Sequence, residues 1–87
     1  MNSKHRKTFK KIFDLPIRSD IEWIEIENLL IYLGAELSEG SGSRIRIALH
    51  NVRAVFHRPH PKKEANKGTI NSLKRFLQEA GIKSDEI

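Results

Sequence analysis

Residues 43–57 read Ser-Arg-Ile-Arg-Ile-Ala-Leu-His-Asn-Val-Arg-Ala-Val-Phe-His. From Arg44 to Leu49 the residues alternate, with Ile45, Ile47 and Leu49 on one side and Arg44, Arg46 and Ala48 on the other. A period of two is the signature of a half-buried strand. Val52 to His57 forms a second strand. His50-Asn51 between them suits a two-residue hairpin turn, because both residue types tolerate positive φ better than most. That turn dictates a register in which Leu49 faces Val52, Ile47 faces Ala54 and Ile45 faces Phe56. All six belong to the core face. The opposite face carries Arg44 across from His57, Arg46 across from Val55 and Ala48 across from Arg53. A one-residue slip would mix the two sets, so the pattern specifies the pairing.

Upstream, residues 35–39 (Ala-Glu-Leu-Ser-Glu) predict a short strand, followed by a turn at Gly40-Ser41-Gly42. No Lys-Ser/Thr pair follows these glycines, so they are not a phosphate-cradling loop. Trp23, Ile26, Leu29, Leu30 and Leu33 recur at the spacing of one helical face, with Ser19 or Asp20 as candidate caps and Gly34 past the end. Trp23 is expected in the core. Residues 3–13 place Phe9, Ile12 and Phe13 among Lys4, Arg6, Lys7, Lys10 and Lys11, a short amphipathic helix stopping before Pro16. Its apolar side is too short for a membrane-surface helix.

Downstream, residues 58–67 are a polar loop containing Pro59 and Pro61. A last helix is expected over about 68–80, with Ile70, Leu73, Phe76 and Leu77 buried and Gly81 at its end. The fold class is therefore α+β, a three-stranded antiparallel sheet with helices on one face and the other face open. Residues 1–18 read as a basic, helical N-terminal extension and residues 19–87 as an α-β-β-β-α domain.

The chain has 87 residues, which suits a single domain with a modest core. It has no cysteine, so neither a disulfide framework nor a thiolate metal site is available. Lys and Arg number 16 against 11 for Asp and Glu, a net charge of +5. Such a surplus favours an anionic partner: nucleic acid, an acidic protein or a membrane surface. No apolar run approaches the ~20 residues of a transmembrane helix, and no signal-peptide stretch is present. The chain reads as cytoplasmic.

Arg44, Arg46 and Arg53 should project together from the open face, where guanidinium groups can grip phosphates. Neither strand of the hairpin supplies a carboxylate row to neutralise them. Arg58, Lys62, Lys63 and Lys67 add positive charge in the loop and at the helix entry. His57 and His60 raise a catalytic reading. RNA is cleaved without metal when a base takes the 2′-hydroxyl proton and an acid protonates the leaving oxygen. Histidine titrates nearest neutrality and suits both roles. Arg44 beside it could stabilise developing phosphate charge. His57, His60 and Glu64 match no strong metal-ligand spacing. Glu25/Glu27 and Asp85/Glu86 look like solvated charges.

Gly42-Ser43, His60, Lys63-Glu64, Gly68-Thr69 and Ala80-Gly81, preceded by Gly34-Ala35-Glu36, resemble the HicA family. Its members are toxins of bacterial type II toxin–antitoxin pairs, and the likeness covers roughly residues 20–82. The resemblance implies a double-stranded-RNA-binding-domain-like fold. It also implies ribosome-independent mRNA interferase activity, an endoribonuclease reaction, and neutralisation by an acidic HicB-like antitoxin. No small-molecule cofactor is implied. The family opens its second strand with Gly-Ser-His, and Arg44 stands here in place of that catalytic His. Arg cannot act as a base near neutral pH. Two functions are thus expected: an RNA-cleaving toxin using Arg44, His57 and His60, or a non-catalytic RNA- or protein-binding module of the same fold.

Overall fold

A computed structural model describes residues 3–83. Three helices, α1 (Ser3–Ile12), α2 (Trp23–Tyr32) and α3 (Lys67–Glu79), accompany three strands, β1 (Glu36–Glu39), β2 (Arg44–Leu49) and β3 (Val52–His57). The sheet is antiparallel in the order β1-β2-β3. Asp85 and Glu86 lie outside the described residues.

The hairpin forms in the expected register, from Leu49 opposite Val52 to Arg44 opposite His57. His50 (φ 48°) and Asn51 (φ 69°) both occupy the left-handed region, as a turn matched to strand twist requires. His50 adds an anchor: its Nδ1 lies 2.8 Å from the carbonyl oxygen of Ala80 at the end of α3. On the other side, β1 pairs with β2 so that Leu37 meets Ile47 and joins the core face.

Ile45, Ile47, Leu49 and Phe56 pack against Ile26, Leu29 and Leu30 of α2 and Ile70, Leu73, Phe76 and Leu77 of α3. The helices therefore cover one face of the sheet. Phe9 and Ile12 of α1 enter the same core, Ile12 with no exposed surface. The basic N-terminal helix thus contributes to the common hydrophobic cluster.

The helix boundaries differ in instructive ways. Neither Ser19 nor Asp20 caps α2; Glu22 holds the N-cap position and makes no side-chain cap bond. The reason lies across the chain. Glu22 forms a β-bridge with Glu64, the Trp23 N–H donates to the Lys63 carbonyl (2.9 Å), and the Ala65 N–H donates to the Ile21 carbonyl (2.9 Å). A backbone donor at the helix start is satisfied by another segment, so a local cap is not needed. Asp20 instead pairs with Arg18 at 2.8 Å. At α3 a local cap is present: the Asn66 side chain accepts from the Thr69 N–H at 2.8 Å.

Glu27 is not a merely solvated carboxylate. It accepts from Trp23 Nε1 and from Arg58 Nε, while Arg58 also grips Glu39 through both terminal nitrogens (2.6 and 2.8 Å). This clamp ties α2, the end of β1 and the end of β3 together.

These pairs set the acid behaviour. The Arg18 hydrogen bond holds Asp20 down at about 2, from an ordinary value of 3.8. The hydrogen bonds from Arg58 lower Glu39 as well. A depressed carboxylate contributes stability that is present above its unfolded pKa and lost as pH falls through the folded one. Both groups are solvent-exposed, so the contribution is small. Thermal melts of the wild type should lose stability between about pH 4 and 2. An Asp20→Asn, Glu39→Gln double variant should lose less over that interval; an identical acid slope would refute this assignment.

Candidate nucleic-acid interface

The uncovered face of the sheet is built in cross-strand rows. Arg44 and His57 are direct partners in one row; Ser38, Arg46 and Val55 make the next; Glu36, Ala48 and Arg53 make the third. Strand alternation puts these residues on the side away from the helices. Arg44, Arg46, Arg53, Val55 and His57 are exposed, Val55 at 56%. Direct cross-strand neighbours have Cβ atoms about 5 Å apart, so Arg44 and His57 can act on one phosphate.

Among the described residues, the guanidinium groups of Arg44 and Arg53 make no hydrogen bond or ion pair with the protein, whereas Arg46 Nη1 donates to the Glu39 carbonyl at 3.2 Å. A hollow lined by Ser38, Arg46, Ala48, Arg53 and Val55 runs over the face. Glu36 also lines it, a carboxylate on β1 that tempers the positive charge without pairing.

His57 stands at a junction. On one side it shares a shallow recess with Arg44 and the β1–β2 turn Ser41-Gly42-Ser43. That turn is held by Gly40 N–H to the Arg44 carbonyl (2.9 Å) and Arg44 N–H to the Ser41 carbonyl (3.2 Å). On the other side His57 opens a groove between β3 and α3, where Thr69, Ser72 and Arg75 face Arg53 and Val55.

The remaining basic candidates lie elsewhere. Arg58 follows His57 by one residue and so projects to the other side of the strand, where Glu27 and Glu39 hold it charged. Lys62 and Lys63 line a recess with Glu22, Trp23 and Ile24 at the start of α2. Lys67 opens α3 beside Gly68 and Thr69, which border the β3–α3 groove. His60 is exposed in the loop and lines none of the recesses that hold Arg44 and His57. The groove residues Ser72 and Arg75 were the ones sequence reasoning missed. Their spacing marks them as flanking the buried stripe of α3, but nothing local says which strand they face.

Among the described residues, no three His, Cys, Asp or Glu side chains come together as a metal-binding group. No helix among them is long and apolar enough to cross a membrane. Compared with known families, the chain matches the model described as the HicA toxin of bacterial toxin–antitoxin, over residues 23–82. No curated protein matches the chain, and no solved structure does.

Proposed function

The chain belongs to the HicA toxin family, and from that premise we propose that it is a toxin acting on RNA through the open sheet face. Family membership makes it the toxin of a toxin–antitoxin pair, with an antitoxin as partner. The observation that carries the RNA reading is the unneutralised Arg44–His57 pair beside Arg46 and Arg53 on an uncovered sheet.

In this reading the arginines hold the RNA backbone and Arg44 bears on the scissile phosphate. A base takes the 2′-hydroxyl proton, O2′ attacks phosphorus, and the bond to O5′ breaks as that oxygen takes a proton. The products are a 2′,3′-cyclic phosphate and a 5′-hydroxyl. His57 serves as the base or the acid, Arg44 stabilises charge on the phosphorane-like transition state, and His60 positions RNA from the loop. Incubating purified protein with mRNA and analysing the ends formed tests this directly. Absence of cleavage together with RNA binding would favour the non-catalytic module, a reading supported by Arg44 standing where the family has its catalytic His.

Phosphate contacts set the salt dependence of binding. Each contributes a slope of roughly 0.7 in log affinity against log salt for single strands. Arg46→Ala should weaken RNA binding and flatten that slope by about this amount, measured by fluorescence anisotropy across a salt series. Wild-type affinity in the Arg44, Arg46, Arg53 triple alanine variant would eliminate the basic face as the RNA site.

The antitoxin proposed here is an acidic, HicB-like protein lying over the same face. Complementary charge acts mainly on association rate. Its on-rate should fall as salt rises, and a salt-independent rate in stopped-flow mixing would argue against this partner.

A further inference from the structure

Strand β3 is an edge of the sheet, with β2 on one side only. In an antiparallel pair, alternate residues direct their backbone groups toward the partner strand and away from it. The Arg58 N–H reaches back to the Ser43 carbonyl at 2.9 Å, which sets the parity: even-numbered residues of this segment face β2. Arg53, Val55 and His57 therefore turn their N–H and C=O groups outward, and none has a backbone partner among the described residues. Exposed edges of this kind are usually blunted by shortness, proline, a bulge or charge, and Arg53 supplies only the last, which an acidic strand would not oppose. Here the edge is six residues long, contains no proline and carries an exposed valine at its centre.

A groove runs alongside that edge. Its wall is β3 and its other bank is α3, with Gly68, Thr69, Ser72, Arg75 and Glu79 toward solvent and Phe76 at the base. A strand placed beside β3 would lie at the usual spacing of about 4.8 Å and run over this bank. Its side chains on one side would meet Thr69, Ser72 and Arg75. Those on the other would continue the open face next to Arg53 and His57.

We propose that the β3–α3 groove is a docking site for an extended, acidic segment of a partner protein, added to the sheet as a fourth strand. The alternation of free donors and acceptors decides the class of occupant. A polypeptide strand satisfies both in regular alternation, whereas RNA meets the N–H groups with phosphate oxygens and has only its 2′-hydroxyls to offer the carbonyls. Charge decides the composition: Arg53 and Arg75 outnumber Glu79. Antiparallel self-pairing centred on Val55 would add a second copy's Arg53 to an edge that is already net positive, so the same charges disfavour that arrangement. The docking uses the backbone edge of β3 and so does not depend on RNA cleavage at the open face.

The test uses the full chain and a fluorescent heptapeptide alternating Glu and Val. Saturable binding is expected, with slowed hydrogen exchange at the Val55 and His57 amides. The same peptide N-methylated at the positions facing β3 should bind about tenfold or more weakly, because it can no longer donate to the edge. Val55→Pro should abolish binding and Val55→Thr should retain it. The exchange measurement and the methylated peptide need no variant, so the test stands if Val55→Pro does not fold. Equal binding of the methylated peptide would overturn the proposal. So would amide protection that appears with protein concentration alone, which indicates a second copy. Protection by oligouridylate but not by peptide would overturn it in favour of RNA.

Discussion

Replacing His57 with Ala is expected to cut RNA cleavage by about 10²–10⁴-fold while leaving RNA affinity nearly unchanged. The size follows from what a single general acid–base residue contributes. The selectivity follows from geometry: His57 is the cross-strand partner of Arg44, while Arg46 and Arg53, proposed to hold the RNA backbone, occupy other rows. Single-turnover cleavage and anisotropy on the same preparations separate the two quantities. If the wild type cleaves and His57→Ala cleaves equally fast, His57 has no chemical role. Arg44→His returns the family's residue to its place. It should raise activity if the surrounding face is otherwise competent. A wild type that never cleaves beside an Arg44→His variant that does would make this chain an RNA-binding member with silenced chemistry.

Ile12→Ala is expected to destabilise the fold by about 2–5 kcal/mol. Ile12 is fully buried in the cluster that also holds Ile26, Leu29 and Leu73, so truncation leaves a cavity that rigid neighbours fill poorly. For a domain of this size, each kcal/mol moves the melting temperature by roughly 4–8 °C, so the expected fall is about 10 °C or more. The control is Ile24→Ala on α2, where the side chain is 59% exposed. That change should stay within about 0.5 kcal/mol. An unchanged melting temperature for Ile12→Ala would mean that α1 is a dispensable appendage. The result bears on function too, because α1 lies before the family-matched segment and yet shares its core.

The hairpin was legible because its information is local. A period of two, a His-Asn turn and a buried set that only one register keeps together leave no second solution, and every cross-strand pair from Arg44–His57 to Leu49–Val52 occurs as read. The helical stripes of α2 and α3 were legible for the same reason, with Gly34 (φ 98°) and Gly81 (φ 79°) ending them as the left-handed region requires. Together these also place Arg44, Arg46, Arg53 and His57 on one face.

What the sequence could not reveal depends on segments far apart in the chain. Arg58 looks like another loose cation beside Arg53 and His57, until Glu27 and Glu39, 31 and 19 residues away, close around it. The start of α2 was misplaced because its backbone donor is met by Lys63, a partner that no local capping rule can anticipate. Arg75 and Ser72 show only as flanking positions on a helix; that they border β3 and its open edge depends on how α3 lies across the sheet. Alternation along a strand is a property of neighbouring residues and survives in the one-dimensional string. The choice of which side chain meets which across the fold belongs to packing, where burial and hydrogen bonding are satisfied between elements rather than within them.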